Sequence, residues 1–275
     1  MATVKNLTIN DSGYIRLPNG TTAQRPGSPT AGMIRYNSDL AITEYYTGSA
    51  WTNIANQLVT NGLVLALDAG NTQSYSGSGS TWYDLSGNGN HMTLVGSPSW
   101  SSSNGGYFTF NNSTTNYAII TNANCSANFK TMTSFSTISG FNVLGSSGSW
   151  HALYTFGDGA NFVDYWQSPS PGAFHDDASG YGPGVNLSGA GFNIWSSSKS
   201  VAAGNSIYQN STLIGTQNLS SFNTTSTLGF TIAVRPDDLG YNTYMNFSFL
   251  YIYNRALTAS EMSQTFNALR SRYGL

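Results

Sequence analysis

Charge is what this sequence has least of. Only 8% of its 275 residues are Asp, Glu, Lys or Arg, against roughly 25% in an average globular domain. Ser, Thr, Asn and Gly take their place, and the net charge is −2. A surface that is polar but nearly uncharged argues against nucleic acid and anionic membrane as partners, since both are held by clustered Lys and Arg. Cysteine is reduced to Cys125, which excludes a disulfide framework and a thiolate metal cluster. No apolar run approaches the roughly 18 residues of a membrane span, so no membrane insertion is expected. Met1–Asn10 lacks the apolar core of a secretion signal, which implies synthesis in the cytoplasm. Glutamate is nearly missing: Glu44 and Glu261 are the two. Glycoside hydrolysis needs a pair of carboxyl groups across a cleft, and no Glu-x-Asp-x-x-Glu run places two acids on one strand face.

Aromatic residues are abundant, with 17 Tyr, 14 Phe and 6 Trp, enough to fill a core despite the low charge. Together with β-branched residues and frequent Gly/Asn turns they point to an all-β protein. The last thirty residues set its terms. In Tyr244–Tyr253 (YMNFSFLYIY), Met245, Phe247, Phe249, Tyr251 and Tyr253 alternate and are expected to share one sheet face. Asn254–Leu257 ends that strand. Thr258 and Glu261 then form a capping box, and Met262, Phe266, Leu269 and Tyr273 recur at helical spacing, which predicts one short C-terminal helix.

The strand, Asn254-Arg255-Ala256-Leu257-Thr258 and capped helix resemble the ending of concanavalin A-like, laminin-G-type lectin domains. LVLALDAGN (63–71) and WYDLSGNGNHMTL (82–94) resemble the opening of the same family, so the resemblance spans residues 62–275. It implies a jelly-roll sandwich. Short strands between these ends fit it: 107–110, 117–120, 135–143, 151–156, 162–166, 192–195, 206–209 with 213–215, and 228–234. The hairpin around Asn210-Ser211 corresponds to the family's Tyr-x-Asn-Gly turn, with Ser211 in place of Gly.

Residues 1–57 read differently. A strand is expected at Tyr14–Leu17, then a Pro/Gly-rich stretch, then short strands at 33–37, 42–46 and 50–54. Such a piece has little core of its own and is expected to need a partner surface or to be a flexible arm. TTAQRPGSPTAGMIRYNSDLAITEYYTGSAWTNI (21–54) resembles a module of tailed-bacteriophage fibre and other virion structural proteins. The resemblance implies that residues 1–57 form a virion-attachment or oligomerisation segment, with Arg25, Pro26, Arg35, Tyr36, Tyr45 and Trp51 carrying the attachment. It further implies a location on the virion surface, as a tail or head fibre or capsid decoration. The implied partners are other virion proteins, further copies of the chain in a trimer, and a host-surface glycan.

Chemistry is sparse by this measure. No catalytic residues are assigned and the chain is expected to bind without turnover, with a purely structural cement protein and a polysaccharide hydrolase as the alternatives. Asp158 with Asp164, or Asp176 with Asp177, are the acid pairs a hydrolase would use. Sugars are held by aromatic faces and by Asn/Asp hydrogen bonds. Asp164, Tyr165, Trp166, Asp176, Asp177, Tyr181, Trp195, Asp238 and Tyr241 are therefore the carbohydrate-binding candidates, with burial in the core the competing role for Trp166 and Trp195. Asp84, Ser86, Asn88 and Asn90 place oxygens at alternate positions among glycines, as calcium loops do, or as ordinary Asx turns do. Ca2+ is the one cofactor the sequence suggests.

Overall fold

The computed structural model describes residues 13–54, 57–145, 151–156, 163–167, 173–176, 180–184, 190–200, 202–218, 228–236 and 239–275. The chain forms two compact units, Met1–Gln57 and Leu58–Leu275.

The first unit is a small sheet of β1 (Asn19–Gly20), β2 (Ile34–Asn37), β3 (Ile42–Tyr46) and β4 (Trp51–Asn53), paired in that order. Tyr14–Leu17 is not a strand: Tyr14 and Ile15 are exposed, and pairing begins only at Asn19. Arg35 and Glu44 are cross-strand partners, so both point to one face with Asn37. Glu44 is fully buried there. Arg25 grips it with Nε to Oε1 at 3.1 Å and Nη2 to Oε2 at 2.6 Å, while Asn37 Nδ2 donates to Oε1 at 3.2 Å. The bond from Arg25 holds the Glu44 carboxyl below its usual range, against the opposing effect of burial. An ionic knot thus does what an apolar core would do in a larger domain.

The second unit is an all-β jelly-roll sandwich with a short C-terminal helix. It opens with β5 (Leu63–Asp68), β6 (Thr81–Trp82), β7 (Met92–Val95), β8 (Ser99–Ser101), β9 (Tyr107–Asn111) and β10 (Tyr117–Ile120). A single helical turn, α1 (Ala127–Lys130), leads into β11 (Ser134–Gly145), β12 (His151–Phe156) and β13 (Val163–Gln167). There follow β14 (Ala173–Asp176), β15 (Gly180–Gly184), β16 (Asn193–Ser200), β17 (Gly204–Gln209) and β18 (Thr212–Gln217). The chain ends with β19 (Phe230–Ile232), β20 (Tyr244–Tyr253) and helix α2 (Ala259–Leu269). One sheet has the order β13-β12-β19-β10-β7-β6 and the other β18-β17-β16-β11-β20-β9-β8, with β5 also on β20. Aromatic side chains fill the space between them. Trp82 meets Phe108 edge-on at 4.8 Å, and Phe141 stacks on Phe247 at 5.8 Å.

Strand β20 corrects one expectation. Its odd-numbered residues do not share a face, because Phe247 pairs with Phe141 and Phe249 with Gly140, leaving Ser248 as an extra residue. This bulge reverses the alternation. Met245 and Phe247 point between the sheets, as do Leu250 and Ile252 beyond the bulge. Phe249, Tyr251 and Tyr253 turn to the other side, where they meet Met262, Phe266 and Leu269 of α2. Gly140 is required opposite the bulge, since a Cβ there would lie 2.2 Å from the Phe249 ring.

Helix α2 starts as expected. Thr258 Oγ1 accepts from Glu261 N at 3.2 Å, and Glu261 Oε2 accepts from Thr258 N at 2.9 Å. Arg255 also forks onto the Glu261 carboxylate. Past the helix, Arg272 makes a two-pronged ion pair with Asp68 at the end of β5 and donates through Nε to the Gly105 carbonyl at 2.9 Å. Burial is the largest single influence and works against the Arg272 charge, but the Asp68 bond and charge, with Tyr273 and Tyr251 adding to them, together raise its pKa.

Strand β16 extends further than expected, through Ser196–Ser200, and is buried along most of its length. Its hydroxyls are satisfied inside the protein: Thr137 Oγ1 lies 3.0 Å from both Ser197 Oγ and Tyr154 Oη, and Ser198 Oγ donates to Leu257 O at 2.9 Å. Strands β17 and β18 are joined by Asn210 (φ 48°) and Ser211 (φ 68°), both in the left-handed region that a type I′ turn requires.

Two predictions follow from these ends and turns. Glu261 is held at about 2, chiefly by the Arg255 bond, with burial opposing it and Thr258 assisting. A lowered carboxylate contributes stability that is complete above about pH 5 and is lost as pH falls through 4 toward 2. Glu261→Gln should therefore lower stability at pH 7 by about 1–2 kcal/mol and flatten the acid limb of the melting temperature plotted against pH. Ser211→Gly should raise stability by about 1 kcal/mol in urea unfolding, because glycine adopts φ > 0 without the Cβ clash.

Candidate functional site

After β19 the chain doubles back and is clamped to β12. Ala233 N donates to Leu153 O at 3.0 Å, Ala152 N to Tyr241 O at 2.7 Å, and Thr243 Oγ1 to Ala152 O at 2.6 Å. Within the bend, Arg235 N donates to Gly240 O at 3.1 Å. Three non-glycine residues here take positive φ: Ala233 (75°), Leu239 (56°) and Tyr241 (55°). Such backbone costs on the order of 1–3 kcal/mol per residue and persists only where surrounding bonds enforce it. The outcome is a fixed Tyr241 ring, 39% exposed, with the Arg235 guanidinium 4.9 Å from its centre.

Strand β12 is also the partner of β13, with Ala152 opposite Trp166 and Thr155 opposite Asp164. The ladder therefore sets the run Asp164-Tyr165-Trp166 beside the strand that anchors Tyr241. Between 167 and 191, where the sequence predicts no strand, lies the hairpin β14–β15, which pairs His175 with Tyr181 and Asp176 with Gly180. Strand β14 lies next to β13 and β15 next to β18. The hairpin thus spans from the edge of one sheet to the edge of the other. Asp164, Tyr165, Trp166, Asp176 and Tyr181 all belong to this strip, and Tyr241 borders it. Asp158, Asp177 and Asp238 lie outside the described residues.

Trp195 does not belong to the strip. It is 2% exposed and stacked against Phe141 between the sheets, so the core role is the correct one.

The four calcium candidates do come together, but their oxygens are already engaged. Asp84 Oδ1 accepts from Ala66 N and Ser86 N at 2.8 and 2.9 Å. Its Oδ2 accepts from Ser86 Oγ and Asn90 N at 2.8 and 3.0 Å. Four donors fill a carboxylate's acceptor sites. Asn90 Oδ1 accepts from Ser126 N at 2.8 Å, and Asn88 Nδ2 donates to Leu63 O at 3.2 Å. The bonds accepted by Asp84 and Asn90 aim hydrogens where a cation would have to sit. The loop is a brace for β5, and among the described residues no three His, Cys, Asp or Glu side chains gather as a metal group.

The attachment candidates are corrected in part. Arg25 and Arg35 turn inward onto Glu44 and serve the fold of the first unit. Trp51 is half-buried against Tyr46, with ring centres 5.4 Å apart. Tyr36 and Tyr45 lie on the opposite sheet face. Pro26 borders a hollow beside Trp51.

Neither a family model nor a curated protein sequence matches this chain. Solved structures do. The chain is similar to Trypanosoma rangeli sialidase in complex with sialic acid (TM-score 0.56, 15% identity), over 77% of this chain and 33% of that one. It is similar to the binding domain of Paraclostridial Mosquitocidal Protein 1 (TM-score 0.56, 14% identity), over 76% and 52%. It is also similar to domain 4 of AbnA, a GH43 extracellular arabinanase from Geobacillus stearothermophilus, in complex with arabinotriose (TM-score 0.57, 12% identity), over 74% and 97%. At these identities the likeness is one of fold, and the chain spans about a third of the sialidase's length. These neighbours run against the sequence expectation of a virion structural protein without enzymatic role, since the proteins found with this fold include a sialidase and an arabinanase.

The brace around Asp84 makes a prediction about ions. Millimolar CaCl2 or EDTA should leave the melting temperature unchanged, whereas Asp84→Ala should cost about 3 kcal/mol in urea unfolding, since it orphans the buried Ala66 and Asn90 amides and loosens Ser86.

Proposed function

We propose that this chain is part of carbohydrate-active machinery, and that its Leu58–Leu275 sandwich engages a glycan along the β12–β15 strip for hydrolysis. The observation that carries this is the convergence, at one edge, of candidate residues that are scattered between 164 and 241 in sequence. Aromatic faces and acid side chains there provide the two elements of sugar recognition, apolar stacking and directional hydrogen bonds. The low charge of the chain suits a neutral or weakly charged polysaccharide.

The distribution of carboxyl groups favours the same edge for bond cleavage. Glu44 is held by Arg25, Glu261 by Arg255, Asp68 by Arg272 and Asp84 by its four donors. None of these is free to act as acid, base or nucleophile. Among the described residues of the sandwich, Asp164 and Asp176, on the neighbouring strands β13 and β14, are the acids left for a pair of the kind that glycoside hydrolysis needs.

The test is a panel of arabinans, sialylated glycans and bacterial polysaccharides, read both by affinity electrophoresis and by release of reducing ends. Tyr241→Ala should weaken retention about tenfold, and Asp164→Asn and Asp176→Asn should each abolish release without weakening retention. Absence of both retention and release across the panel would overturn the proposal.

A further inference from the structure

The hollow in the first unit points to a second ligand. Its volume is about 340 Å3, at the lower end of small-molecule sites. Pro18 and Pro26 form apolar walls, the amides of Asn19 and Gln24 add polar edges, and Arg35 and Trp51 complete the lining.

Charge arithmetic singles out Arg35. The knot beneath the hollow contains two guanidinium groups, Arg25 and Arg35, and one carboxylate, Glu44. Arg25 takes both Glu44 oxygens. Arg35 comes no closer to that carboxylate than 3.7 Å, through Nε. Its Nη2 donates to Thr21 O at 2.9 Å, and its Nη1 has no hydrogen-bond partner among the described residues. Yet Arg35 is only 6% exposed. Two guanidinium groups therefore share one carboxylate, Arg35 without a hydrogen bond to it, and among the described residues the knot is left one negative charge short. Trp51 stands over it, its ring centre 6.0 Å from the Arg35 guanidinium carbon.

We propose that this hollow binds the carboxylate of an acidic sugar, a uronic-acid residue, with the carboxylate on Arg35 and the C–H face of the ring against Trp51. One negative charge matches the deficit, and a phosphate dianion would exceed it. A flat indole beside two amides suits a ring that carries hydroxyls, where a peptide C-terminus would need only the apolar walls. The site lies within residues 18–51 and does not depend on the strip of the sandwich.

Arg35→Gln is a poor probe, because it also disturbs the Glu44 knot. Met33 is better: it lines the same hollow two residues before Arg35 and is partly exposed, so Met33→Glu puts a repelling charge at the rim without touching the knot. The full chain is titrated by calorimetry with a galacturonic acid trisaccharide, with the same trisaccharide as its uronamide, with a neutral galactose trisaccharide, and with a tripeptide bearing a free C-terminal carboxylate. The acidic trisaccharide should bind saturably, and its uronamide and the neutral sugar should bind at least about tenfold more weakly. Met33→Glu should weaken the acidic trisaccharide about tenfold with the melting temperature unchanged, and Tyr241→Ala should leave its affinity as it was. No binding up to about 10 mM, equal binding of the uronamide, binding of the tripeptide instead, indifference to Met33→Glu, or loss of binding in Tyr241→Ala would each overturn the assignment.

Discussion

One strand has to serve two cores, and a single extra residue allows it. Strand β20 pairs with β11 along one side and with β9 and then β5 along the other, so both faces of its second half are covered. Without the bulge at Ser248, the aromatic residues of 245–253 would all crowd one face and α2 would have no apolar surface to lie on. With it, Met245 and Phe247 serve the space between the sheets while Phe249, Tyr251 and Tyr253 receive the helix. The bulge needs Gly140 opposite it, and Ala69 N donates to Ser248 O at 2.8 Å to hold the kink. Helix, long strand and opening strand are therefore one coupled arrangement.

The two units solve the problem of low charge in opposite ways. The sandwich puts its few buried charges to structural use at its margins and fills its interior with aromatic rings and satisfied hydroxyls. The first unit is too small for such an interior and centres on Glu44, where geometry must do what apolar area cannot. Among the described residues, Glu44, Asp68, Asp84 and Glu261 are all held by donors of the fold.

Much of the fold is legible in the residues. The capping box at Thr258 and Glu261, the helical spacing of Met262, Phe266 and Leu269, and the runs at 63–68, 117–120 and 151–156 announce their elements directly. The bulge at Ser248 is not legible, because an inserted residue leaves the local pattern intact and shows only in the register with a distant strand. Strand β16 hides for another reason: Ser196–Ser200 look like a loop until Thr137, Tyr154 and Leu257 are brought alongside to bond them. The site was readable only as a set of suspects. Trp195 and Trp166 look alike in sequence, and only the ladder shows that one is core while the other belongs to the edge strand. Likewise Asp84 reads as a ligand or a brace until its donors, some from residues 18 positions away, are known.

The ion pair between Asp68 and Arg272 joins positions separated by 204 residues, and β5 reaches its place only by lying against β20. During synthesis the first strand of the sandwich is made long before either partner leaves the ribosome. It must wait, with Leu65 and Leu67 uncovered, until nearly the whole sandwich has been translated. Premature termination before β20 would release a chain that holds much of the sandwich yet cannot close, and its orphaned opening strand would be a natural substrate for chaperones or for aggregation.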